Sequence, residues 1–199
     1  MYFFTSDLHI GDNSTIKREF RPFNNDFEFQ FFIKNDINNN CNANDYLIIV
    51  GDLINYNQNY KKTKQEVIDL YNNFIKNLKC KVILIIGNNE DRIIKELFNN
   101  NLDYYKNTLL RLGYSCIANE FYVEFGNYHF YINHYPIYYK KPYVNLFGHT
   151  HRATGLWKPY GLNVGTDINH FRVYSENDIL EILKQKELYW DNDPDTLCL

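Results

Sequence analysis

Three short apolar runs alternate with helix-like patterns in the first half of this chain. The runs at residues 2–5, 46–50 and 81–86 are rich in β-branched and aromatic side chains, as expected for strands that are buried on both faces. Between them, apolar residues recur at helical spacing over residues 26–39 and 61–78. The order strand, helix, strand, helix, strand predicts a layered α/β fold.

The second half of the chain is richer in strand patterns. After helical patterns at 91–98 and 104–112, the segments 120–125 and 128–133 flank Gly126-Asn127 and predict a hairpin. Further short strands are predicted at 144–147, 154–157 and 161–164. Ser175 and Asp178 have the spacing of a helix cap, which predicts a last helix to about residue 187. We expect one domain over residues 1–190, with two sheets and outer helices, and a frayed tail at 191–199.

Candidate metal ligands stand at or just after the ends of the predicted strands. The motifs are DLH at 7–9, GD at 51–52, GN at 87–88, one isolated histidine and GHTH at 148–151. Carboxylate, amide and imidazole donors without a thiolate suit a hard or borderline divalent ion, and a bridging carboxylate can hold two such ions close together. Each motif alone is common, because an isolated histidine usually packs in the core and Gly-Asp marks many turns. Their ordered combination indicates a two-metal site made of Asp7, His9, Asp52, Asn88, His134, His149 and His151.

The net charge and the spacing of the cysteines argue against several classes of function. The net charge is -3, with basic and acidic residues interleaved, which argues against strong binding of duplex nucleic acid. The cysteines lack metal-type spacing and are expected to be reduced thiols. No signal-peptide pattern opens the chain, and no apolar run is long enough to span a bilayer, so a cytoplasmic protein without membrane contact is expected.

The ordered motifs resemble those of the calcineurin-like metallophosphoesterase superfamily, which read DxH, GD, GN, H and GHxH. The resemblance extends from the first strand to about residue 170. Segments 5–9, 21–23, 134–136 and 163–167 further resemble a small single-domain bacterial and phage subgroup. The resemblance implies two packed mixed β-sheets flanked by helices, an αββα four-layer sandwich.

The same resemblance implies a role for each motif residue. The implied ligands are Asp7, His9 and His151 for one ion, Asn88, His134 and His149 for the other, and Asp52 as the bridge between them. Two divalent ions are implied, with Mn²⁺ expected in assays and Fe, Zn, Ni or Mg as alternatives. A hydroxide shared by the ions would attack phosphorus directly, without a covalent enzyme intermediate. Catalytic roles are thereby implied for Asp52, Asn88 and Asn89.

Asn89 departs from the family pattern, in which GNHD or GNHE is common. The histidine of that pattern is thought to help protonate the leaving group or to steady the phosphate, whereas an amide donates a hydrogen bond and delivers no proton. A poor leaving group should therefore suffer more than a good one. Some small relatives with Asn or Cys at this position resemble phosphodiesterases more than monoesterases, so the resemblance favours a phosphodiester substrate, small or nucleotide-like, over a phosphomonoester.

Arginines and tyrosines near the motifs are candidate substrate contacts. Arg21, Arg92 and Arg152 lie close to motifs, and Arg152 is the first choice because it directly follows His151. Arg18 and Arg21 can instead form a solvated basic rim. Four tyrosines lie near the fourth motif, Tyr135, Tyr138, Tyr139 and Tyr143. They can stack a base or sugar at the mouth of the cleft, or serve only in packing of the core and rim.

Other functions remain open at this point. They are a phosphomonoesterase or protein phosphatase, a nuclease acting on single strands, and a non-catalytic scaffold with the same fold. A scaffold with an eroded site would have lost ligands, and here every ligand position of the pattern is filled. The partner expected is a small-molecule or nucleotide-like phosphoester, and the chain is expected to be a monomer or a homodimer.

Overall fold

The structure is a computed structural model that describes residues 1–11, 13–56, 61–137, 142–153, 156–157 and 161–190. The strands are β1 Tyr2–Thr5, β2 Tyr46–Ile49, β3 Lys81–Ile85, β4 Cys116–Ala118, β5 Glu120–Phe125, β6 Tyr128–Asn133, β7 Tyr143–Phe147, β8 Leu156–Trp157, β9 Gly161–Asn163 and β10 Tyr174–Ser175. The helices are α1 Ser14–Arg18, α2 Asp26–Asn40, α3 Lys64–Ile75, α4 Asn88–Leu97, α5 Leu102–Leu112 and α6 Glu176–Trp190, with a 3₁₀ turn at His151–Ala153.

The first sheet has the strand order β10-β1-β2-β3-β4. Strands β1 to β4 are parallel, and β10 pairs with β1 in the antiparallel direction. Alternate side chains point to opposite faces, so Phe3 and Leu47 pack toward the helices while Phe4 and Ile48 face the second sheet. The continuous apolar runs of the sequence are explained by this burial on both faces.

The second sheet has the order β5-β6-β7-β9-β8. β5 and β6 form the predicted hairpin, and β6, β7 and β9 are parallel to one another. Its inward side chains meet those of the first sheet, as in the rings of Phe4 and Phe125, whose centroids are 5.9 Å apart. Ile179 and Leu183 of α6 join the same cluster between the sheets.

Local capping explains where the main helices begin. Asn25 accepts a hydrogen bond from the backbone of Glu28 at the start of α2, and Thr63 and Glu66 form a capping box before α3. Ser175 and Asp178 hydrogen-bond reciprocally at the start of α6, as their spacing predicted. Within the described ranges, no helix is both long and apolar enough to cross a bilayer.

The predicted fold class, two packed mixed sheets flanked by helices, is confirmed. The sequence analysis missed the short elements α1, β4 and β10, which contain too few residues to show a period. It also placed the start of α4 at residue 91, whereas the helix begins at Asn88. The extent of the domain, residues 1–190, stays a prediction, and residues 191–199 lie outside the described ranges.

A short bridge joins the two sheets where the candidate ligands lie. Ser6 follows β1 and pairs in parallel with Gly165, which follows β9. The backbone N–H of Thr166 donates to the carbonyl of Ser6 at 3.0 Å. The carboxyl ends of parallel strands from both sheets therefore open at one common edge.

Candidate metal centre

The strand ends bring all the predicted ligands to this common edge. Five of them line one cavity of about 280 Å³, namely His9, Asp52, Asn88, His149 and His151. Asp7 and His134 are fully buried directly behind them. Side chains of both sheets thus converge on one cleft, as the strand-end positions of the motifs predicted.

Three residues form the first group, Asp7, His9 and His151. One ligand atom from each lies within 4.8 Å of the others. The rings of His9 and His151 are stacked, with centroids 5.0 Å apart and planes inclined by 20°. The backbone N–H of His149 donates to both oxygens of Asp7, at 3.1 and 2.9 Å, so the carboxylate has a fixed orientation.

Three further residues form the second group, Asn88, His134 and His149. The amide oxygen of Asn88 lies 3.2 Å from Nε2 of His134 and 2.9 Å from Nδ1 of His149. His134 uses its other ring nitrogen, Nδ1, at 2.8 Å from the backbone carbonyl of Val50. This contact sets the ring so that Nε2 faces the centre.

Asp52 lies between the two groups. Its Oδ2 is 3.5 Å from Nε2 of His9, and its Oδ1 is 3.6 Å from Nε2 of His134. Ligand atoms of Asp52, Asp7 and His134 also lie within 4.8 Å of one another. The position of this carboxylate is compatible with a bridge between two ions.

The backbone is strained at most of these residues. Asp7, His9, Asp52, His149 and His151 all have positive φ, between 46° and 68°. Such conformations cost about 1–3 kcal/mol each and persist where surrounding contacts impose them. Their concentration in one cleft supports a functional role for the cleft.

Two motif glycines are required by geometry. Gly51 has φ +85°, a conformation that side chains rarely adopt. The backbone at Gly148 packs closely against the DLH motif, and an added Cβ would lie 2.5 Å from Oδ2 of Asp7. The glycines that precede ligands therefore let the backbone approach the carboxylates closely.

We expect Gly148→Ala to disable the site. The new methyl group would displace Asp7 and Ser6, with a loss of stability of about 2 kcal/mol from overpacking and a loss of phosphoesterase activity. Gly113→Ala is the control, because an added Cβ there would lie 3.4 Å from its nearest neighbour, so only the positive φ of +109° at Gly113 opposes the change. The control should lose about 1 kcal/mol and keep its activity. Thermal unfolding and activity measured on both variants test this expectation, and an active Gly148→Ala variant would contradict it.

Burial and mutual charge shape the pKa values of the ligands. Burial raises the pKa of Asp7 and lowers the pKa of His9 well below its ordinary range, and His151 adds to the effect on His9. Burial also lowers the pKa of His149, with a contribution from His134. For His134, burial lowers the pKa, but the carboxylates of Asp7 and Asp52 outweigh it and the net shift is upward. His9 and His149 are therefore biased toward the neutral imidazole that binds metals.

His9 provides the test of whether a metal fits. Both of its ring nitrogens are buried and have no hydrogen-bond partner among the described residues. A buried polar group without a partner is costly, and one reason for its presence is an ion at the site. Because its neighbours offer carboxylate and imidazole donors, the Asp and His clusters suggest a site for a divalent metal ion.

Asn89 contacts the bridging carboxylate. Its Nδ2 donates to Oδ2 of Asp52 at 2.5 Å, and its backbone N–H donates to Oδ1 at 2.9 Å. Its amide oxygen accepts the backbone N–H of Tyr56 at 3.0 Å. Asn89 also lines the cavity, so its amide orients Asp52 from within the site.

Glu90 is a site residue that the sequence analysis did not identify. It is fully buried and accepts the backbone N–H groups of Asp52, Leu53 and Gly87 at 2.8, 3.0 and 3.0 Å. Burial, and then the neighbouring Asp52, raise its pKa to about 7. The carboxylate joins the loops after β2 and β3. Its position two residues after the GN motif, where the family pattern GNHD or GNHE has an acidic residue, was the signal in the sequence.

Both alternatives for Arg21, a substrate contact and a solvated basic rim, are wrong. Its side chain is buried and directed into the protein, where it pairs with Asp167. Arg18 and Arg92 do line the cavity. Arg152, the first choice as a substrate contact, is exposed and is not among the cavity-lining residues, so its contact with substrate stays a prediction for which Arg92 is the rival.

Of the candidate tyrosines, Tyr135 lies at the site and Tyr143 packs on the second sheet. Tyr135 lies beside the second group, with its ring 5.1 Å from His134 and 4.8 Å from His149. Tyr143 begins β7 at the end remote from the ligands and packs on Tyr122, which matches the packing alternative. Residues 138 and 139 lie outside the described ranges.

Comparisons with known proteins give a consistent result. A family model described as calcineurin-like phosphoesterase matches residues 2–197. Among solved structures, the chain is similar to AQ665, a protein of unknown function from Aquifex aeolicus, with 18% identity, a TM-score of 0.59, and coverage of 92% of this chain and 98% of that chain. No curated protein matches the chain.

Two further solved structures are more distantly similar. Pseudomonas putida nuclease MPE has 17% identity and a TM-score of 0.45, with coverage of 75% of this chain and 61% of that chain. The E. coli phosphoesterase Yfce has 14% identity and a TM-score of 0.42, with coverage of 82% and 77%. The family model spans nearly the whole chain, and the motif residues converge on one cavity. The chain therefore belongs to the calcineurin-like phosphoesterase family.

Proposed function

We propose that this protein is a two-metal phosphodiesterase acting on a small or nucleotide-like phosphoester. Membership of the family supports a hydrolase of phosphoester bonds. The observation that carries the two-metal proposal is the placement of Asp52 between His9 and His134, at 3.5 and 3.6 Å. A single carboxylate between two groups of donors is what a pair of ions needs.

Each residue of the chain has a defined task in this proposal. The first group would hold one ion, the second group the other, and Asp52 both, with Mn²⁺ as the expected ion in assays. Divalent ions supply positive charge for the phosphate and lower the pKa of a coordinated water. Asn89 fixes the orientation of Asp52. Arg18 and Arg92 contribute the positively charged side chains that line the cavity.

The lining of the cavity supports direct attack by water. The described residues that line it include no serine, threonine or cysteine, and the aspartate and histidines that could otherwise act as nucleophiles are the proposed metal ligands. At the position where a histidine is common in the family, Asn89 has its amide nitrogen on Asp52 and its oxygen on Tyr56. An amide held in this way supplies no proton to a leaving group, which supports a preference for substrates with good leaving groups.

Arg92 is the expected substrate contact. It lines the cavity from α4, whereas Arg152 is exposed outside it. We expect Arg92→Ala to raise KM about tenfold, the scale of one hydrogen bond to a charged group. Arg152→Ala, the same change on a neighbouring arginine, should leave KM within about twofold. Steady-state kinetics on both variants measure this, and the reverse ranking would restore Arg152 as the substrate contact.

The proposed function is tested by comparing two model substrates. Metal-stripped protein should hydrolyse neither substrate, and added Mn²⁺ should restore hydrolysis of bis-p-nitrophenyl phosphate more than of p-nitrophenyl phosphate. Restoration of monoester hydrolysis alone would point to a phosphomonoesterase. Failure of both reactions, with Mn²⁺ binding confirmed by calorimetry, would count against catalysis on such phosphoesters.

A further inference from the structure

A buried arginine and a buried aspartate connect the first motif to the second sheet. Arg21 donates through Nε and Nη2 to the two carboxylate oxygens of Asp167, at 2.8 and 2.9 Å. The same guanidinium donates to the backbone carbonyls of Leu8 and Asp7, at 2.8 and 2.6 Å. Its Cζ lies 4.6 Å from the centre of the Phe29 ring. The side chains of Arg21 and Asp167 are inaccessible to solvent, so this unit is rigid and held from several sides.

The aspartate of this pair also contacts a predicted ligand. Oδ2 of Asp167 lies 2.8 Å from Nδ1 of His151. A carboxylate on Nδ1 stabilises the tautomer that carries its proton there and leaves the lone pair on Nε2. The face of the same ring stacks on His9, at 5.0 Å between centroids. His151 is thereby held between Asp167 at its edge and His9 at its face.

The same region contains a cluster that resembles a separate cation site. Ligand atoms of Glu19, His151 and Asp167 lie within 4.8 Å of one another. However, the guanidinium of Arg21 already bonds both oxygens of Asp167, so a cation there would meet a positive charge at close range. The cluster therefore fits a support for His151 better than an ion site of its own.

We propose that Arg21 and Asp167 are positioning residues for the first group. Asp167 fixes the tautomer and orientation of His151, and Arg21 fixes Asp167 to the backbone of the Asp7 motif. The pair thus keeps ligands from two different sheets at the spacing that one ion needs. The effect on an ion rests on the proposed function, whereas the effect on the tautomer of His151 does not.

The tautomer is the direct test. We expect ¹⁵N NMR of the metal-free protein, titrated upward until the ring of His151 has lost its second proton, to show His151 protonated at Nδ1. In Asp167→Asn this preference should be lost, because the amide no longer selects one tautomer. A wild-type His151 protonated at Nε2 would overturn the proposal without any variant.

Metal binding is the second test. Calorimetry of the metal-stripped wild-type protein with Mn²⁺ should show two binding events, and Asp167→Asn should weaken one of them about 10- to 100-fold. Asp36→Asn is the matched control, because Asp36 is a half-buried aspartate that accepts the N–H of Val173 away from the site. The control should bind Mn²⁺ like the wild type. Two unchanged events in Asp167→Asn would overturn the proposal.

The Asp167→Asn variant can also lose stability, because it leaves the buried charge of Arg21 without its carboxylate partner. The double variant Arg21→Met with Asp167→Asn removes that charge and keeps the volume, and it should show the same tautomer change and the same weakened binding event. Wild-type binding in the double variant would overturn the proposal. Absence of any Mn²⁺ binding by the wild type would contradict the proposed function, while the tautomer measurement would still decide the role of Asp167.

Discussion

Replacing Asp52 by asparagine is expected to lower the turnover of a diester substrate about 1000-fold, which corresponds to about 4 kcal/mol of lost transition-state stabilisation. The carboxylate lies between His9 and His134, so its loss affects both proposed ion positions at once. Asparagine has the same shape and tolerates the positive φ of 53° at this residue. The change therefore removes charge and leaves the backbone in place.

Thermal unfolding separates this effect from misfolding. Without metal, two effects of Asp52→Asn oppose each other: Asp7 and Glu90 no longer face a third carboxylate, but Asn89, which donates to both oxygens of Asp52, loses one acceptor. We therefore expect the variant to stay folded, with a melting temperature near that of the wild type. With Mn²⁺, the wild type should gain more stability than the variant, since binding to the folded state raises the melting temperature. Asp69→Asn, an exposed change on α3, is the control and should be unaffected. Diester turnover within about tenfold of wild type in Asp52→Asn would contradict a bridging role.

Much of the site could be predicted because its residues are local to strand ends. Asp7 and His9 come directly after one apolar run, and Asp52 comes after the next. Parallel strands end at the same edge, so position along the chain implies position in space. The same reasoning applies to His134, which follows β6, and to His149, which follows β7.

The contacts around the ligands could not be predicted in this way. Arg21 and Asp167 are 146 residues apart, and no period or propensity relates them. Arg21 near a motif suggested a phosphate contact, but its burial beneath the motif decides its partner. Asn89 was interpreted through a leaving group, whereas its side chain bonds Asp52 and the backbone of Tyr56. Such roles depend on which donors and acceptors the tertiary fold places within reach.

Glu90→Gln is expected to destabilise the folded protein by about 3 kcal/mol, which corresponds to about 10 °C in melting temperature for a chain of this size. One carboxylate oxygen accepts the N–H groups of Asp52 and Gly87, and the other accepts that of Leu53. Glutamine has a single acceptor oxygen, so its NH₂ group must face buried N–H donors. The loops that carry Asp52 and Asn88 should loosen together, and thermal unfolding measures the loss.

Glu96→Gln is the control for this prediction, since Glu96 is an exposed residue of the same helix that accepts one hydrogen bond, from Tyr56. It should shift the melting temperature by less than about 2 °C. An unchanged melting temperature in Glu90→Gln would contradict the expected loss of stability. Burial and Asp52 raise the pKa of Glu90 to about 7, against the backbone N–H groups that favour its charged form. A glutamine tolerated there would show that Glu90 is protonated in the folded chain, and that the two loops are held without its charge.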